Sequence, residues 1–243
     1  MNLLIDQGNT LCKVACFDSS GNLVFNSVFE TLTQESLQTL FHDFKPENGI
    51  LSTVKAFEPT LTGWLKSKLQ TFVELGPDTP LPIRNGYGTP HTLGFDRLAA
   101  AVGAWSLQPG KPLLIIDMGT AVTYDFVSAD GVFTGGNIAP GLRTRLKALH
   151  HYTGKLPLVE PDIDFDLLGN TTETAIRSGV MQGLLFEMTG YVNALKQQYP
   201  DLFAFLTGGD LIYFDGKLKN GIFVDENLVL TGLNRILRYN VHS

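Results

Sequence analysis

The first third of the chain alternates short apolar runs with turn residues, a pattern typical of antiparallel strands. Three runs are predicted to be strands: LLID (3–6), KVACFD (13–18) and LVFNSVFE (23–30). Turn residues separate them at Gly8-Asn9 and at SSGN (19–22). The chain is therefore predicted to begin with two consecutive hairpins.

Helical and strand patterns alternate in the next segment. Four apolar residues recur at the spacing of an amphipathic helix: Leu37, Leu40, Phe41 and Phe44. The following elements are predicted in order: a strand at 49–54, a helix at 58–70, a strand at 71–75, a Pro- and Gly-rich connection at 76–90 and a helix at 96–107. This half is thus expected to place helices between strands after the hairpins.

The opening pattern recurs 111 residues later. LLIDQGNT (3–10) is echoed by LIIDMGTA (114–121), so that Asp6 corresponds to Asp117 and Gly8 to Gly119. The remaining elements are predicted in order: strands at 121–127 and 132–139, helices at 141–153 and 172–198, a strand at 202–209 and a helix at 228–240. Two matching halves predict an α/β protein that arose by duplication, with domains at 1–110 and 111–243 and a cleft where they meet.

Composition limits the size of the domains and the kinds of partner and location that the protein could have. At 243 residues the chain could form one large domain or two of about 120. A formal charge of −6 without a basic cluster argues against a nucleic-acid partner. No apolar run of about 18 residues and no leader-like start are present, which argues against a membrane span and secretion. Cys12 and Cys16 are expected to be reduced core residues of a cytoplasmic protein.

The paired acid-glycine turns suggest phosphate and metal chemistry. Mg²⁺ binds one or two carboxylates, often through water, together with phosphate oxygens, and Asp6 fits that pattern. Glycine lets backbone N–H groups approach a phosphate closely. Nearby donors and a cation complete the set: Asn9, Thr10, Lys13, Thr120 and Thr123. The alternative is a structural hairpin in which Asp6 only caps the turn.

Two further segments have both a functional and a structural interpretation. LTGGD (206–210) could lie against an adenosine, or could be an ordinary strand–loop junction. The stretch from Tyr87 to Arg97 could form a substrate site, in which Asp96 accepts a hydroxyl proton and Arg97 holds a carboxylate or phosphate. The alternative is that Asp96 is only the N-cap of a helix.

Seven stretches, in order, resemble the type III pantothenate kinase family over essentially the whole chain. They are DQGNTLCK, GFDRLAAAVGA, DMGTAVTYD, GGNIAPGLRTRLKAL, TGKLP, GNTTETAIRSG and the late TGG. The resemblance implies the fold of acetate and sugar kinases, heat-shock proteins and actin, with two duplicated ribonuclease H-like domains. It also implies an ATP-dependent phosphotransferase that converts pantothenate to 4′-phosphopantothenate, the first step of coenzyme A biosynthesis.

The resemblance assigns roles to residues of this sequence. Asp96 matches the catalytic base, and Asp117 matches the ligand of a monovalent cation, K⁺ or NH₄⁺. The positions that match ATP contacts are Asp6, Gln7, Gly8, Asn9, Thr10, Leu11, Cys12, Lys13 and Thr120. The positions that match pantothenate contacts are Tyr87, Gly94, Phe95, Asp96, Arg97 and Thr172, with the adjacent Thr171 as an alternative to the last.

Family members are homodimers in which the partner subunit completes the pantothenate pocket, which implies the same here. Gly179 and Gly183, four residues apart on the long predicted helix, would permit close helix packing. The alternative is that this apolar stripe belongs to the core of its own chain.

Two other functions remain open from sequence. One is a nucleotide-binding regulatory protein without turnover, which the intact Asp96-Arg97 pair argues against. The other is a different kinase or a phosphatase of the same superfamily, acting on a sugar or a polyphosphate. The chain is short for a sugar kinase, which argues against this second alternative.

Overall fold

The structure is a computed structural model that describes residues 1–8, 11–218 and 221–241. Contacts between Cα atoms divide the chain into two compact units. One unit comprises Met1–Leu107 together with the chain from Leu228 onward, and the other comprises Gln108–Asn227. Across the described ranges, no helix combines the length and the hydropathy needed to cross a membrane.

The first unit is built on a five-stranded sheet. Its elements up to residue 107 are β1 (Asn2–Gln7), β2 (Cys12–Phe17), β3 (Leu23–Phe29), α1 (Gln34–Phe44), β4 (Asn48–Thr53), α2 (Pro59–Lys68), β5 (Thr71–Glu74), β6 (Arg84–Asn85) and α3 (Phe95–Leu107). The strand order is β3-β2-β1-β4-β5, with β1 antiparallel to β2 and parallel to β4. The predicted pair of hairpins followed by alternating helices and strands is confirmed.

Strand β1 is buried on both faces because it lies at the centre of the sheet. Leu3 and Ile5 point into a core cluster that also holds Cys12 and Cys16 of β2. Both cysteines are free and buried, as predicted. Since side chains alternate along a strand, Asp6 shares the opposite face with Leu4.

The second unit repeats this arrangement. Its elements are β7 (Leu113–Met118), β8 (Ala121–Val127), β9 (Val132–Pro140), α4 (Leu142–Tyr152), α5 (Thr172–Gln198), β10 (Phe203–Thr207) and β11 (Ile222–Val224). Within the unit the strands follow the order β11-β10-β7-β8-β9. Like β1, β7 lies between an antiparallel neighbour, β8, and a parallel one, β10. The sequence echo therefore reflects a repeated topology, and the predicted α/β class is confirmed.

The core of the second unit forms where α4 and α5 cover the sheet. Leu114 and Ile116 of β7 belong to one buried cluster with Leu146 of α4 and Met181 and Leu184 of α5. These side chains are at most 2% exposed. This packing fixes β7, and with it the position of the turn that follows Asp117.

The final helix, α6 (Leu228–Val241), belongs to the first unit. It packs against α3 and over β1 and β4. The amide of Asn2 donates to the Asn234 side-chain oxygen at 2.8 Å in this buried contact. The sequence-based division placed this helix with the second half, whereas its broad apolar face covers the first sheet.

Glycines allow α3 and α6 to approach backbone to backbone. A Cβ atom added to Gly232 would lie 1.7 Å from the carbonyl oxygen of Ala99. One added to Gly103 would lie 2.3 Å from the carbonyl oxygen of Leu228. Real Cβ contacts are never this short, so this crossing requires residues without side chains at both positions.

Candidate active site

The first acid-glycine turn joins β1 to β2. The Gly8 amide donates to the carbonyl of Leu11 at 3.0 Å, which closes the turn. Leu11 is 46% exposed, whereas the Cys12 side chain lies in the core. Cys12 could therefore contact a nucleotide only through its backbone. The predicted contacts Asn9 and Thr10 lie outside the described residues.

Asp6 lies at the centre of a charged cluster. The register pairs it with Lys13 on β2 and with Ser52 on β4, so both neighbouring strands flank it. The pKa of the Asp6 carboxyl is raised to about 6, chiefly by burial and to a lesser extent by the negative charge of Asp96, although Lys13 and the Ser52 hydroxyl oppose the shift. Asp6 and Lys13 are therefore cross-strand neighbours, and Asp96 lies within electrostatic range of Asp6. Ser52 was not predicted.

The start of α3 presents Asp96. The Leu98 amide donates to the carbonyl of Gly94, and the Arg97 amide donates to Oδ1 of Asp96 at 2.8 Å. Because α3 begins at Phe95, Asp96 lies inside its first turn, and the alternative that it is the N-cap is wrong. A Cβ atom on Gly94 would lie 2.4 Å from Asp96 Oδ1. Glycine at position 94 therefore leaves room for this carboxylate.

Arg97 and Tyr87 meet beside Asp96 in the sequence-predicted substrate site. Arg97 is only 7% exposed, and its guanidinium carbon lies 5.7 Å from the centre of the Tyr87 ring. This distance is typical of a cation–π contact, which orients the plane of the guanidinium. The amide of Tyr87 donates to Asn85 Oδ1 at 3.1 Å, which holds the loop. Phe95, between Gly94 and Asp96, is partly buried.

The second acid-glycine turn, in the second unit, packs against the start of α4. The carbonyl of Thr120 accepts hydrogen bonds from the Gly141 amide at 3.1 Å and the Thr144 hydroxyl at 2.8 Å. Gly141 is the N-cap of α4, and no side chain caps the helix there. The N-terminus of α4 therefore presents backbone N–H groups beside Thr120, an arrangement that favours anions.

The LTGGD segment is part of the same turn region. Gly208 has φ +100°, and a Cβ atom there would lie 2.5 Å from Asp117 Oδ1. The amide of Asp210 donates to the carbonyl of Met118 at 3.0 Å. Arg143, at the start of α4, forms an ion pair with Asp210 at 3.5 Å. Sequence reasoning treated LTGGD separately because the contact between β7 and β10 cannot be read from local pattern.

Thr172 is the first residue of α5, and Thr171 is its N-cap. The Thr171 hydroxyl accepts from the Thr174 amide at 3.2 Å in a capping box. Thr172 instead lines a mainly apolar cavity of about 560 Å³ between α4 and α5, together with Ile176 and Val180. The capping of Thr171 favours Thr172 as the residue available to a ligand.

The charged cluster of the first unit suits a divalent cation. Asp6 and Asp96 are near enough for their charges to interact, and burial disfavours the ionised form of Asp6. A hard divalent cation would offset this negative charge, and such ions commonly use one or two carboxylates together with phosphate oxygens. We therefore regard Asp6 as the residue suited to hold the metal of a metal–nucleotide complex.

The environment of Asp6 makes a measurable prediction about stability and pH. The folded protein holds more protons than the unfolded chain between pH 3.8 and about 6, so ionisation of Asp6 lowers stability as pH rises through that window. Asp6→Asn should remove this loss and make the metal-free protein more stable than wild type above pH 6, by up to about 3 kcal/mol. Urea unfolding at pH 4, 5, 6 and 7 measures the difference.

Asp18→Asn is the matched control for this experiment. Hydrogen bonds from Asn22 lower the pKa of the exposed Asp18 carboxyl, so its contribution has the opposite sign and is lost as pH falls. If the free energy of unfolding of Asp6→Asn equalled that of wild type at every pH, the ionised Asp6 carboxylate would not destabilise the folded protein, and the prediction would be refuted.

Known proteins are similar to this chain over nearly its whole length. Residues 2–194 match the family model described as type III pantothenate kinase. The chain is 48% identical to a type III pantothenate kinase of Phocaeicola vulgatus over 240 residues, which cover 99% of each chain. It is 42% identical to the enzyme of the same description from Porphyromonas gingivalis, also covering 99% of each chain.

Solved structures show the same fold at low sequence identity. A Campylobacter jejuni protein described as a Baf family transcriptional activator matches with a TM-score of 0.63 and 21% identity, covering 99% of this chain and 100% of that one. A glucokinase from an Antarctic psychrotroph matches with a TM-score of 0.55 and 13% identity, covering 98% of each.

The repeated sheet topology and these structural matches define the class as an α/β fold of two similar units, the fold that the glucokinase shares. Within that class, the family model and the full-length relatives are decisive. The chain belongs to the type III pantothenate kinase family.

Proposed function

We propose that this protein transfers the γ-phosphoryl group of ATP to the primary hydroxyl of pantothenate in the cytoplasm. The product is 4′-phosphopantothenate, in the first step of coenzyme A biosynthesis. The observation that carries the proposal is that Asp96, in the first turn of α3, lies within electrostatic range of Asp6 beside the first acid-glycine turn. Family membership identifies the substrate that this pair would serve.

In the proposed reaction, the hydroxyl oxygen of pantothenate attacks the γ-phosphorus while the bond from that phosphorus to the β–γ bridging oxygen breaks. The hydroxyl proton passes to the Asp96 carboxylate. Because phosphoryl transfer has a loose transition state, Asp96 first orients the hydroxyl and accepts its proton late. Lys13 contributes positive charge beside Asp6. Holding the hydroxyl and the γ-phosphate in the correct relative position supplies much of the rate enhancement.

A kinase of this family requires a divalent metal with ATP, and Asp6 would hold Mg²⁺ in that role. When bound, Mg²⁺ neutralises phosphate charge. We assign the remaining predicted ATP contacts to the two acid-glycine turns, from Gln7 to Lys13 in the first unit and at Thr120 in the second. Asp117, whose carboxylate lies against Gly208, is assigned to the monovalent cation, K⁺ or NH₄⁺.

We assign pantothenate recognition to the loop before α3 and its first turn. Arg97 would bind a carboxylate or phosphate in its planar fork, supported by the Tyr87 ring. Gly94 and Phe95 would shape the site around Asp96. Thr172 would contribute a hydroxyl from the start of α5.

The proposal includes a homodimer whose partner subunit completes the pantothenate pocket. An apolar, sparsely covered surface on α5 and α4 supports it: Phe186 is 61% exposed and Tyr152 is 83% exposed. A Cβ atom added to Gly179 or Gly183 would meet nothing within 4 Å, so a second helix could approach there. A solution mass of 26.6 kDa at micromolar concentration would contradict the dimer.

A coupled assay of ADP release tests the function. We expect release from MgATP to depend on pantothenate and to rise when Na⁺ is replaced by K⁺ or NH₄⁺. Glucose in place of pantothenate is the control, because it is the substrate class of a sugar kinase. Absence of turnover with pantothenate under every cation condition would overturn the proposal, and turnover with glucose would replace it with the sugar-kinase alternative.

A further inference from the structure

The chain just beyond β4 is held against the first acid-glycine turn. The Val54 amide donates to the carbonyl of Gln7 at 3.1 Å, and the Thr53 hydroxyl lies 3.5 Å from the Gln7 side-chain oxygen. The Lys55 amide in turn donates to the Thr53 hydroxyl at 3.2 Å, and that hydroxyl bonds the Lys55 carbonyl. These bonds fix the backbone of Lys55 next to the strand that ends in Asp6 and Gln7.

The charge of Lys55 extends to the other side of the same turn. Burial raises the pKa of the Cys12 thiol to about 11, the negative charge of Asp6 raises it too, and the positive charge of Lys55 opposes both. Cys12 is the first residue of β2, immediately after the turn. Lys55 itself is exposed to solvent. Its backbone therefore lies beside the Gln7 end of the turn, and its positive charge acts on Cys12 at the other end.

We propose that Lys55 is a second cationic ligand of the nucleotide phosphates, acting with Lys13 at the first acid-glycine turn. This inference rests on the proposed function of that turn as an ATP phosphate site. Two carboxylates, Asp6 and Asp96, already lie there, and a triphosphate adds further negative charge. Lys13 is anchored on β2 opposite Asp6, whereas Lys55 approaches from the β4 side, so the two ammonium groups would flank the phosphates.

The sequence signal for Lys55 is weak because it lies 42 residues after Lys13 and in no phosphate-binding motif. Only the parallel pairing of β1 with β4 brings the end of β4 next to the turn. Once the pairing of β1 with β4 is known, Lys55 can be found as a lysine just beyond the carboxyl end of the strand next to the turn.

Binding calorimetry with Lys55→Met tests the inference without requiring turnover. We expect MgATP and MgADP to bind about tenfold more weakly, since a charge-assisted contact to phosphate is lost. Binding of adenosine, which has no phosphate, should be unchanged. Lys55→Arg should retain most of the affinity, and KM for pantothenate should stay within about twofold of wild type in the active enzyme.

Lys68→Met is the matched control, because it removes the same charge from an exposed position on α2 of the same unit. The inference is overturned if Lys55→Met binds MgATP as wild type does, if adenosine binding weakens equally, or if Lys68→Met gives the same loss. A protein that binds MgATP in a Lys55-dependent way but does not phosphorylate pantothenate would refute the proposed function and support this inference.

Discussion

Asp96→Asn is expected to lower kcat by about a hundredfold or more while MgATP binds within about threefold of wild type. Asparagine has nearly the shape of aspartate, and its side-chain oxygen can still accept the hydrogen bond from the Arg97 amide. It cannot accept the proton of the attacking hydroxyl. Initial-rate kinetics with pantothenate and calorimetry with MgATP measure the two quantities separately.

Asp78→Asn provides the comparison for loss of one negative charge, because Asp78 is exposed in the connection before α3. It should retain wild-type kcat. Thermal unfolding of Asp96→Asn should confirm that the helix start is intact. Wild-type turnover by Asp96→Asn would show that this carboxylate only stabilises the first turn of α3, and the assigned proton acceptor would be wrong.

Gly232→Ala is expected to destabilise the first unit by about 3 kcal/mol, the upper end of the usual cost of overpacking. Its Cβ atom would lie 1.7 Å from the Ala99 carbonyl oxygen, a backbone atom that no rotamer change can move. The helices α3 and α6 would have to separate, which would disturb a contact between buried faces. Scanning calorimetry should show a lowered transition for this unit.

Gly63→Ala is the matched control for Gly232→Ala. Gly63 lies inside α2 of the same unit, and a Cβ atom there meets nothing within 4 Å. Alanine is a better helix former, so Gly63→Ala should stabilise the unit by about 0.5–1 kcal/mol. Equal effects of the two substitutions would show that the close contact between α3 and α6 does not limit stability.

Local pattern was sufficient to predict most elements and their repetition, whereas the short strands β6 and β11 were not predicted. In both β1 and β7 an acid lies two residues before a turn glycine, and each strand pairs antiparallel with the strand that follows it. Adjacent residues therefore encode both hairpins. The start of α3 at Asp96 and Arg97 was also predictable, because helix-forming residues follow directly after these two charged residues. Its contact with Tyr87 follows from the short connection between them.

Contacts between elements that are far apart in the sequence could not be predicted from local pattern. The periodicity of 228–240 predicts an apolar helix face but does not identify which sheet that face covers. The neighbours of Asp6 were equally hidden, because Ser52 meets it only through the parallel register of β1 and β4. The burial that raises the pKa of Asp6 likewise depends on the whole packed unit.

The position of α6 has a consequence for the order of folding during translation. A nascent chain that ends at Asn227 already contains every residue of the second unit. The same nascent chain lacks the helix that covers β1 and β4 in the first unit. The second unit can therefore complete its fold on the ribosome before the first, although most of the first is synthesised earlier.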